Sequence, residues 1–369
     1  MSAQQVDVFR VPMASPSDMS GLLRLISEGS LDPRNIVAIL GKTEGNGCVN
    51  DFTREYAGKS FCSALAPYLE CSAEAVEDRV ALVMSGGTEG VLSPHASLFA
   101  RREVDAKVDT GKRMAVGIAQ TREFLPEELG RAAQIQETAS AVRRAMADAK
   151  IDDAADVHFV QIKCPLLSAE RIKAAHGRGQ RTVTEDTYAS MGFSRGASAL
   201  GVALALGEID GPVPDSAVLR DWDLFSSVAS TSAGIELTRS VIVLMGNSEA
   251  AAGSHVIAHA VMRDAVDLAG LLQAFRSAGM DPLKPADADD RLRLVNVFAK
   301  AEPSPDGRIR GSRHTMLDDS DIHPTRHARA AVGGLISGVC GTGEVYVSGG
   351  AEHQGPPGGG PVAVVVRHG

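Results

Sequence analysis

Three segments of the chain open with the same kind of apolar–polar alternation and then change to a helical pattern. They are VDVFRVPM at 6–13, RMAVGIAQTREF at 113–124 and SHVIAHAVM at 254–262, each with the period-two or β-branched character of a strand. The stretches that follow, PSDMSGLLRLISEG, PEELGRAAQIQETASAVRRAMADA and RDAVDLAGLLQAFRSAG, read as helices. Asp18, Glu127 and Asp264 stand near their starts, where a negative charge suits the helix dipole.

A second apolar strand then ends in lysine each time: IVAILGK at Lys42, VHFVQIK at Lys163 and RLVNVFAK at Lys300. Beyond each lysine an arginine sits on a small-residue helix. These are Arg54 in NDFTREYAG, Arg195 in GFSRGASALGVALALG and Arg326 in HPTRHARAAVGGLISG. A third strand closes the unit. In the first and last copies it runs into Ser-Gly-Gly with a glutamate four residues after the serine, Ser85 with Glu89 and Ser348 with Glu352. In the middle copy the strand SVIVLMGNSEAAAG carries Gly246 where a serine is expected, and the best serine lies upstream at Ser232 in SVASTSAGIEL.

The predicted unit is therefore strand–helix–strand–helix–strand, used three times. Its lysines are 121 and 137 residues apart, too irregular for a solenoid. The fold class expected is α+β, with three similar repeat domains around a pseudo-threefold axis. Their bounds are 1–103, 113–250 and 255–369, with 104–112 as a charged linker and NSEAAAGSH at 247–255 as the second join.

Composition narrows the function. With 44% hydrophobic and 22% charged residues, the 369-residue chain has ordinary globular chemistry. Aromatics are only 4%, including the single Trp222, which argues against base-stacking platforms. A net charge of −9 argues against nucleic-acid or anionic-membrane partners. Five cysteines without a C-x-x-C read as reduced thiols of a cytoplasmic protein. No signal-peptide pattern opens the chain, and no apolar run approaches the roughly 18 residues of a membrane span.

Converging on one axis, three lysines and three arginines could not all stay charged. Desolvation and mutual repulsion favour a neutral amine, which can take the proton of a serine hydroxyl. Arginines remain charged and fork onto planar carbonyl oxygens, and hydroxyls with Ser-Gly amides can stabilise an oxyanion. Taken singly, each lysine at a strand end is more often a solvated charge, and Ser-Gly-Gly is often a plain turn. Recurrence in register is what favours a shared site. A planar ligand with three similar edges would match it.

The runs VMSGGTEGVLSPH, LGKTEGNG, AKAEPSPDG, ASTSAGIEL, DDSDIHPTRHARAAVGGLISG and VSGGAEHQGPPGGGPVAVV resemble the ring-opening amidohydrolases, the cyanuric acid hydrolase and barbiturase family. The likeness covers essentially the whole chain. It implies three repeated domains in a triangular barrel, three Ser–Lys pairs and three arginines around one site, and cyclic-amide hydrolysis without a catalytic metal. It further implies Ser232 as nucleophile and Lys163 as base, with Ser230 a local rival on the same strand face. Ser85, Gly86, Ser348 and Gly349 would hold the other ring carbonyls, with Ala233 beside the nucleophile. Lys42 and Lys300 would pair with the flanking serines, and Arg54, Arg195 and Arg326 would clamp the ring. The substrate implied is cyanuric acid, opened to carboxybiuret and then biuret, and the assembly a homotetramer. Barbiturate hydrolysis and non-catalytic imide binding are the alternatives.

The glycine–proline stretch GGAEHQGPPGGGP reads first as a loop. Its carbonyls can also wrap a hard cation. The resemblance implies a structural Mg²⁺ or Ca²⁺ held by Glu302 and the main chain of Ala351, Gln354, Gly355, Pro356 and Gly359. Two His pairs at i,i+4, His255/His259 and His323/His327, lack the H-E-x-x-H glutamate. GKT at 41–43 and GKS at 58–60 are not phosphate loops, because Ile36 and Thr53 stand where a Walker loop needs glycine.

Overall fold

Each alternating segment forms the first strand of its own sheet, and each of these sheets contains a central strand that the pattern does not separate. The computed structural model describes residues 2–105, 111–283 and 292–368. The first unit runs β1 (Ser2–Pro12), α1 (Ser20–Ser27), β2 (Ile36–Thr43), α2 (Phe52–Leu69), α3 (Ala73–Val76), β3 (Ala81–Gly86) and β4 (His95–Asp105). The second runs β5 (Arg113–Gln120), α4 (Ala132–Asp148), β6 (Val157–Pro165), α5 (Ala169–Gly177), α6 (Thr187–Leu206), β7 (Ala229–Gly234) and β8 (Val241–Ser248). A short β9 (Ala251–Ala252) follows. The third has β10 (His255–Met262), α7 (Leu268–Ser277), β11 (Leu294–Ala301), the hairpin β12 (Arg308–Ile309) and β13 (Ser312–Arg313), α8 (Pro324–Cys340), β14 (Tyr346–Gly349) and β15 (Gly360–Arg367).

The result is a mixed α/β fold with three principal sheets, of orders β1-β4-β2-β3, β5-β8-β6-β7 and β10-β15-β11-β14. In each, the last strand lies between the first and second, antiparallel to both, and the second and third run parallel. That central strand is what the pattern did not separate. Covered on both faces, it reads as an unbroken apolar run such as VIVLM or VAVVV. The segment SVIVLMGNS is accordingly β8, not the serine-bearing strand of the middle unit. That strand is β7, which carries Ser232.

Each sheet packs one face on its own helices and the other on a shared core. Phe61 and Leu65 of α2 cover the first sheet, Val142 and Val202 the second, Phe275 and Ile336 the third. The common core joins Val8, Phe99, Val116, Phe159, Phe298 and Tyr346. The Phe298 ring lies 5.7 Å from Phe159 and 6.2 Å from Phe99, pairs that stabilise by about 0.5–1.5 kcal/mol beyond burial. The sheets meet through these side chains. Among the described residues no closed hydrogen-bonded barrel forms.

The expected linker at 104–112 is strand as far as Asp105, and residues 106–110 lie outside the described residues. The second join is not a free connection, because β9 adds in parallel to β1 through Gln4 and Gln5. No helix of the described residues is long and apolar enough to cross a membrane.

Candidate functional site

Parallel pairing of the second and third strands sets each lysine beside its serine: Lys42 opposite Ser85, Lys163 opposite Ser232 and Lys300 opposite Ser348. The serine strands β3, β7 and β14 are sheet edges, so three unpaired edges can converge. They do. Ser348 Oγ lies 3.3 Å from Ser85 Oγ and 3.3 Å from Ser232 Oγ.

The lysines are no solvated strand ends, with exposures of 0%, 2% and 1% for Lys42, Lys163 and Lys300. Lys42 Nζ donates to Ser85 Oγ (3.3 Å) and the Gly86 carbonyl (3.2 Å). Lys300 Nζ donates to Ser348 Oγ (3.2 Å) and to the carbonyls of Gly349 and Thr231 (both 2.8 Å). Gly86 and Gly349 thus meet the lysines through their carbonyls. Lys163 behaves differently. It donates to Met84 O at 3.0 Å and sits 3.6 Å from Glu236 Oε1, with no hydrogen bond to Ser232 among the described residues.

Burial lowers all three amines, and a neighbouring arginine lowers each further. Lys163 falls to about 8 through burial and then Arg54, and Lys300 to about 7 through burial and then Arg195. Lys42 is pushed well below the ordinary lysine value by burial and then Arg329. Neutral amines beside hydroxyls are what a Ser–Lys nucleophile requires.

Arg54, Arg195 and Arg329 line the cavity over the serines, with Met191 and Gly47. Arg329 holds the place expected for Arg326. The latter, one helical turn earlier on α8, has a side chain 41% exposed, reaches Glu89 Oε1 at 3.1 Å and lines the adjoining vestibule. A signal existed, since Arg195-Gly196-Ala197 matches Arg329-Ala330-Ala331, whereas Arg326 is followed by His327. Small residues suit the close packing there, since a Cβ on Gly196 would meet His353 Cδ2 at 2.9 Å and one on Gly90 would meet Ala330 Cβ at 3.3 Å.

The second glycine of Ser-Gly-Gly has a structural reason. Gly87 and Gly350 adopt φ +104° and +78°, and a Cβ would fall 2.6 Å from the Arg329 guanidinium and 2.5 Å from Arg195 Nε. Only glycine accepts both the left-handed backbone and the arginine lying on it. The glutamates that grip these arginines, Glu89 and Glu352, were visible as a spacing but not as parts of the site.

Ala233 lines the cavity and its carbonyl accepts from Arg54 Nη1 at 3.3 Å. Ser230 is fully buried and donates to Gln161 Oε1 at 2.7 Å, away from the serine cluster. Glu302 accepts from Thr325 Oγ1 at 3.1 Å and from Gly350 N at 2.8 Å. Burial, and then Glu352, raise its carboxyl to about 7. In the glycine–proline loop, Ala351 O accepts from Gln354 N at 3.0 Å and Pro356 O from Gly359 N at 2.9 Å, while Gly355 turns at φ +90°. Gln354 Oε1 ties the loop to Thr231 N at 2.7 Å, next to Ser232. Among the described residues no three His, Cys, Asp or Glu side chains group as a metal site. The His255/His259 pair lies on β10, where His259 bonds His158, and His327 pairs with Asp319.

Residues 7–367 match the model of the amidohydrolase ring-opening protein family. A cyanuric acid amidohydrolase of Bradyrhizobium diazoefficiens is 61% identical over 100% of this chain and 99% of its own length. One from Pseudomonas sp. strain ADP is 58% identical over 98% and 99%. A solved cyanuric acid hydrolase structure superposes with a TM-score of 0.95 at 58% identity, covering 99% of this chain and 100% of that one. A second, from A. caulinodans, gives 0.90 at 51%, covering 99% of both. With its motifs, its fold and nearly its whole length in agreement, this chain belongs to the ring-opening amidohydrolase family.

Proposed function

We propose that this chain hydrolyses a C–N bond of cyanuric acid, with Ser232 as nucleophile and Lys163 as base. The name shared by relatives 58% and 61% identical supports the substrate. The observation that carries the chemistry is the three-serine cluster, backed by three buried lysines of lowered pKa and roofed by three arginines.

In this reading neutral Lys163 takes the Ser232 proton as Oγ bonds to a ring carbonyl carbon. The oxyanion collapses, the C–N bond breaks and the Lys163 proton passes to the departing ring nitrogen. Water then hydrolyses the acyl-enzyme to carboxybiuret, which loses CO₂ to give biuret. Ser85 and Ser348, each held by its own lysine, are donors for the carbonyls that do not react, and Arg54, Arg195 and Arg329 clamp the ring. Three units arranged about a pseudo-threefold axis as a triangular barrel would present three like edges to a ring with three like edges.

A structural Mg²⁺ or Ca²⁺ belongs to this reading. Glu302 and the carbonyls of Ala351, Gln354, Gly355, Pro356 and Gly359 offer only hard oxygen donors, and burial beside Glu352, which pushes the Glu302 carboxyl up to about 7, disfavours the carboxylate that a cation would stabilise. Such an ion would brace the loop behind Ser348. A cytoplasmic homotetramer completes the proposal. The test is loss of ring absorbance on incubation with cyanuric acid and, in parallel, barbiturate. Turnover of cyanuric acid is expected, and loss of neither ring overturns the assignment.

A further inference from the structure

Glu89, Glu236 and Glu352 each follow a serine of the cluster by four residues, yet they are used differently. Arg195 grips Glu352 with two bonds of 2.8 and 2.5 Å, and Arg329 grips Glu89 with two of 2.7 and 2.5 Å. Each arginine comes from the unit before its glutamate, the third unit preceding the first. By that rule Arg54 should grip Glu236. It does not. Its Nη2 goes to Cys48 O at 2.8 Å, its Nη1 to Ala233 O at 3.3 Å, and its buried Nε has no hydrogen-bond partner among the described residues.

Glu236 turns instead to Lys163, 3.6 Å away. The backbone agrees. Gly234, the counterpart of Gly87 and Gly350, is not left-handed, and a Cβ on it would meet the Glu236 carboxylate at 2.4 Å rather than an arginine. Lys163 is likewise the one cluster lysine without a hydrogen bond to its own serine. Behind this pair runs a groove of about 320 Å³ lined by Arg54, Lys59, Lys163, Glu236 and Arg239. The Glu236 side chain is 34% exposed and the Lys163 side chain only 3%, so the carboxylate lies between a buried amine and water.

We propose that Glu236 is a positioning residue: freed from its arginine, it holds the resting Lys163 amine and stabilises the ammonium formed when that amine takes the Ser232 proton. This rests on the Ser232–Lys163 assignment above. One N–H bond forms on Lys163 as the Ser232 O–H bond breaks, and Glu236 stays ionised throughout. The other groups facing Lys163 are Arg54 and Asp51 from α2 and its N-terminal turn and Cys164 from β6. Arg54 opposes the ammonium, whereas Glu236 favours it most, followed by Cys164 and Asp51.

The experiment compares kcat against pH on cyanuric acid for the wild type, Glu236→Gln, Glu236→Asp and Glu89→Gln. Without the carboxylate the ammonium is less favoured, so in Glu236→Gln the acid limb should move down by about one pH unit or more. Its plateau kcat should fall about 10- to 100-fold, toward the lower range of general acid–base contributions. Glu236→Asp keeps the charge and should keep the wild-type limb with a lowered plateau. Glu89→Gln, which loosens the Arg329 grip, should raise KM and leave the limb in place. A wild-type limb and plateau in Glu236→Gln overturn the proposal. Should that variant fail to fold, a wild-type plateau in Glu236→Asp overturns it equally. Full turnover by Ser232→Ala would instead sink the Ser232–Lys163 assignment and leave a different signature.

Discussion

Ser232 and Ser348, 116 residues apart in the chain, hold their hydroxyl oxygens 3.3 Å from each other. They reach this distance because each ends an edge strand in register with a buried lysine. If Ser232 is the nucleophile, as proposed, removing it should be far more damaging than removing a neighbour. Ser232→Ala is expected to lose at least about 10³-fold in kcat, the scale seen when a nucleophile is deleted. Ser85→Ala and Ser348→Ala should lose less. Initial rates of ring-absorbance loss on cyanuric acid order the three.

Arg329 and Arg326 should separate by stability. Arg329→Ala removes the two-pronged partner of the Glu89 carboxylate, 11% exposed, and leaves it the half-exposed Arg326. Breaking a buried pair costs about 3–5 kcal/mol, and the remaining contact should place the loss at or below the lower end of that range. Arg326→Ala removes a half-exposed contact of about 1 kcal/mol or less. Denaturant midpoints measure the difference, and KM should rise for Arg329→Ala alone.

As the proposed base, the Lys163 amine must be neutral to act, so kcat should rise with pH through about 8. Stability should follow the same sign. Between about 8 and the ordinary lysine value the unfolded chain holds this proton and the folded chain does not. The Lys163 contribution to unfolding free energy therefore rises across that window. Lys163→Met should flatten this part of the curve in urea unfolding measured against pH.

Gly87→Ala places a Cβ 2.6 Å from the Arg329 guanidinium at φ +104°. Backbone strain alone costs about 1–3 kcal/mol, and the displaced arginine should raise KM. Thermal melting with steady-state kinetics checks both.

Chelation tests the proposed cation. Stripping it should lower the melting temperature, restored by Mg²⁺ or Ca²⁺, whereas kcat of the molecules still folded should hold. An unchanged melting curve with no metal in elemental analysis would remove the ion from the proposal.

The recurring order of strand with lysine, helix with arginine and strand with serine was legible because it is local. Period-two and helical patterns, and the residues at their ends, are written along the chain. They named Lys42, Lys163, Lys300, Ser85, Ser232 and Ser348, which the fold brings to one place. Other features were not legible for stated reasons. The central strands β4, β8 and β15 carry no alternation because both faces are covered. Arg326 and Arg329 share a helix and lie only about 60° apart around its axis, and both reach Glu89. What separates them is the burial of Arg329 over the serines, a product of other units packing on the helix.

By itself the sequence determined the recurring order of strand with lysine, helix with arginine and strand with serine, and the residue types it delivers. Tertiary structure decided which copies differ. Burial that lowers the lysines, the choice of arginine for each glutamate and the turning of Glu236 onto Lys163 all depend on segments far apart in the chain meeting within about 4 Å, where desolvation and Coulomb forces are strong. Residue spacing along a single unit carries no record of those distances.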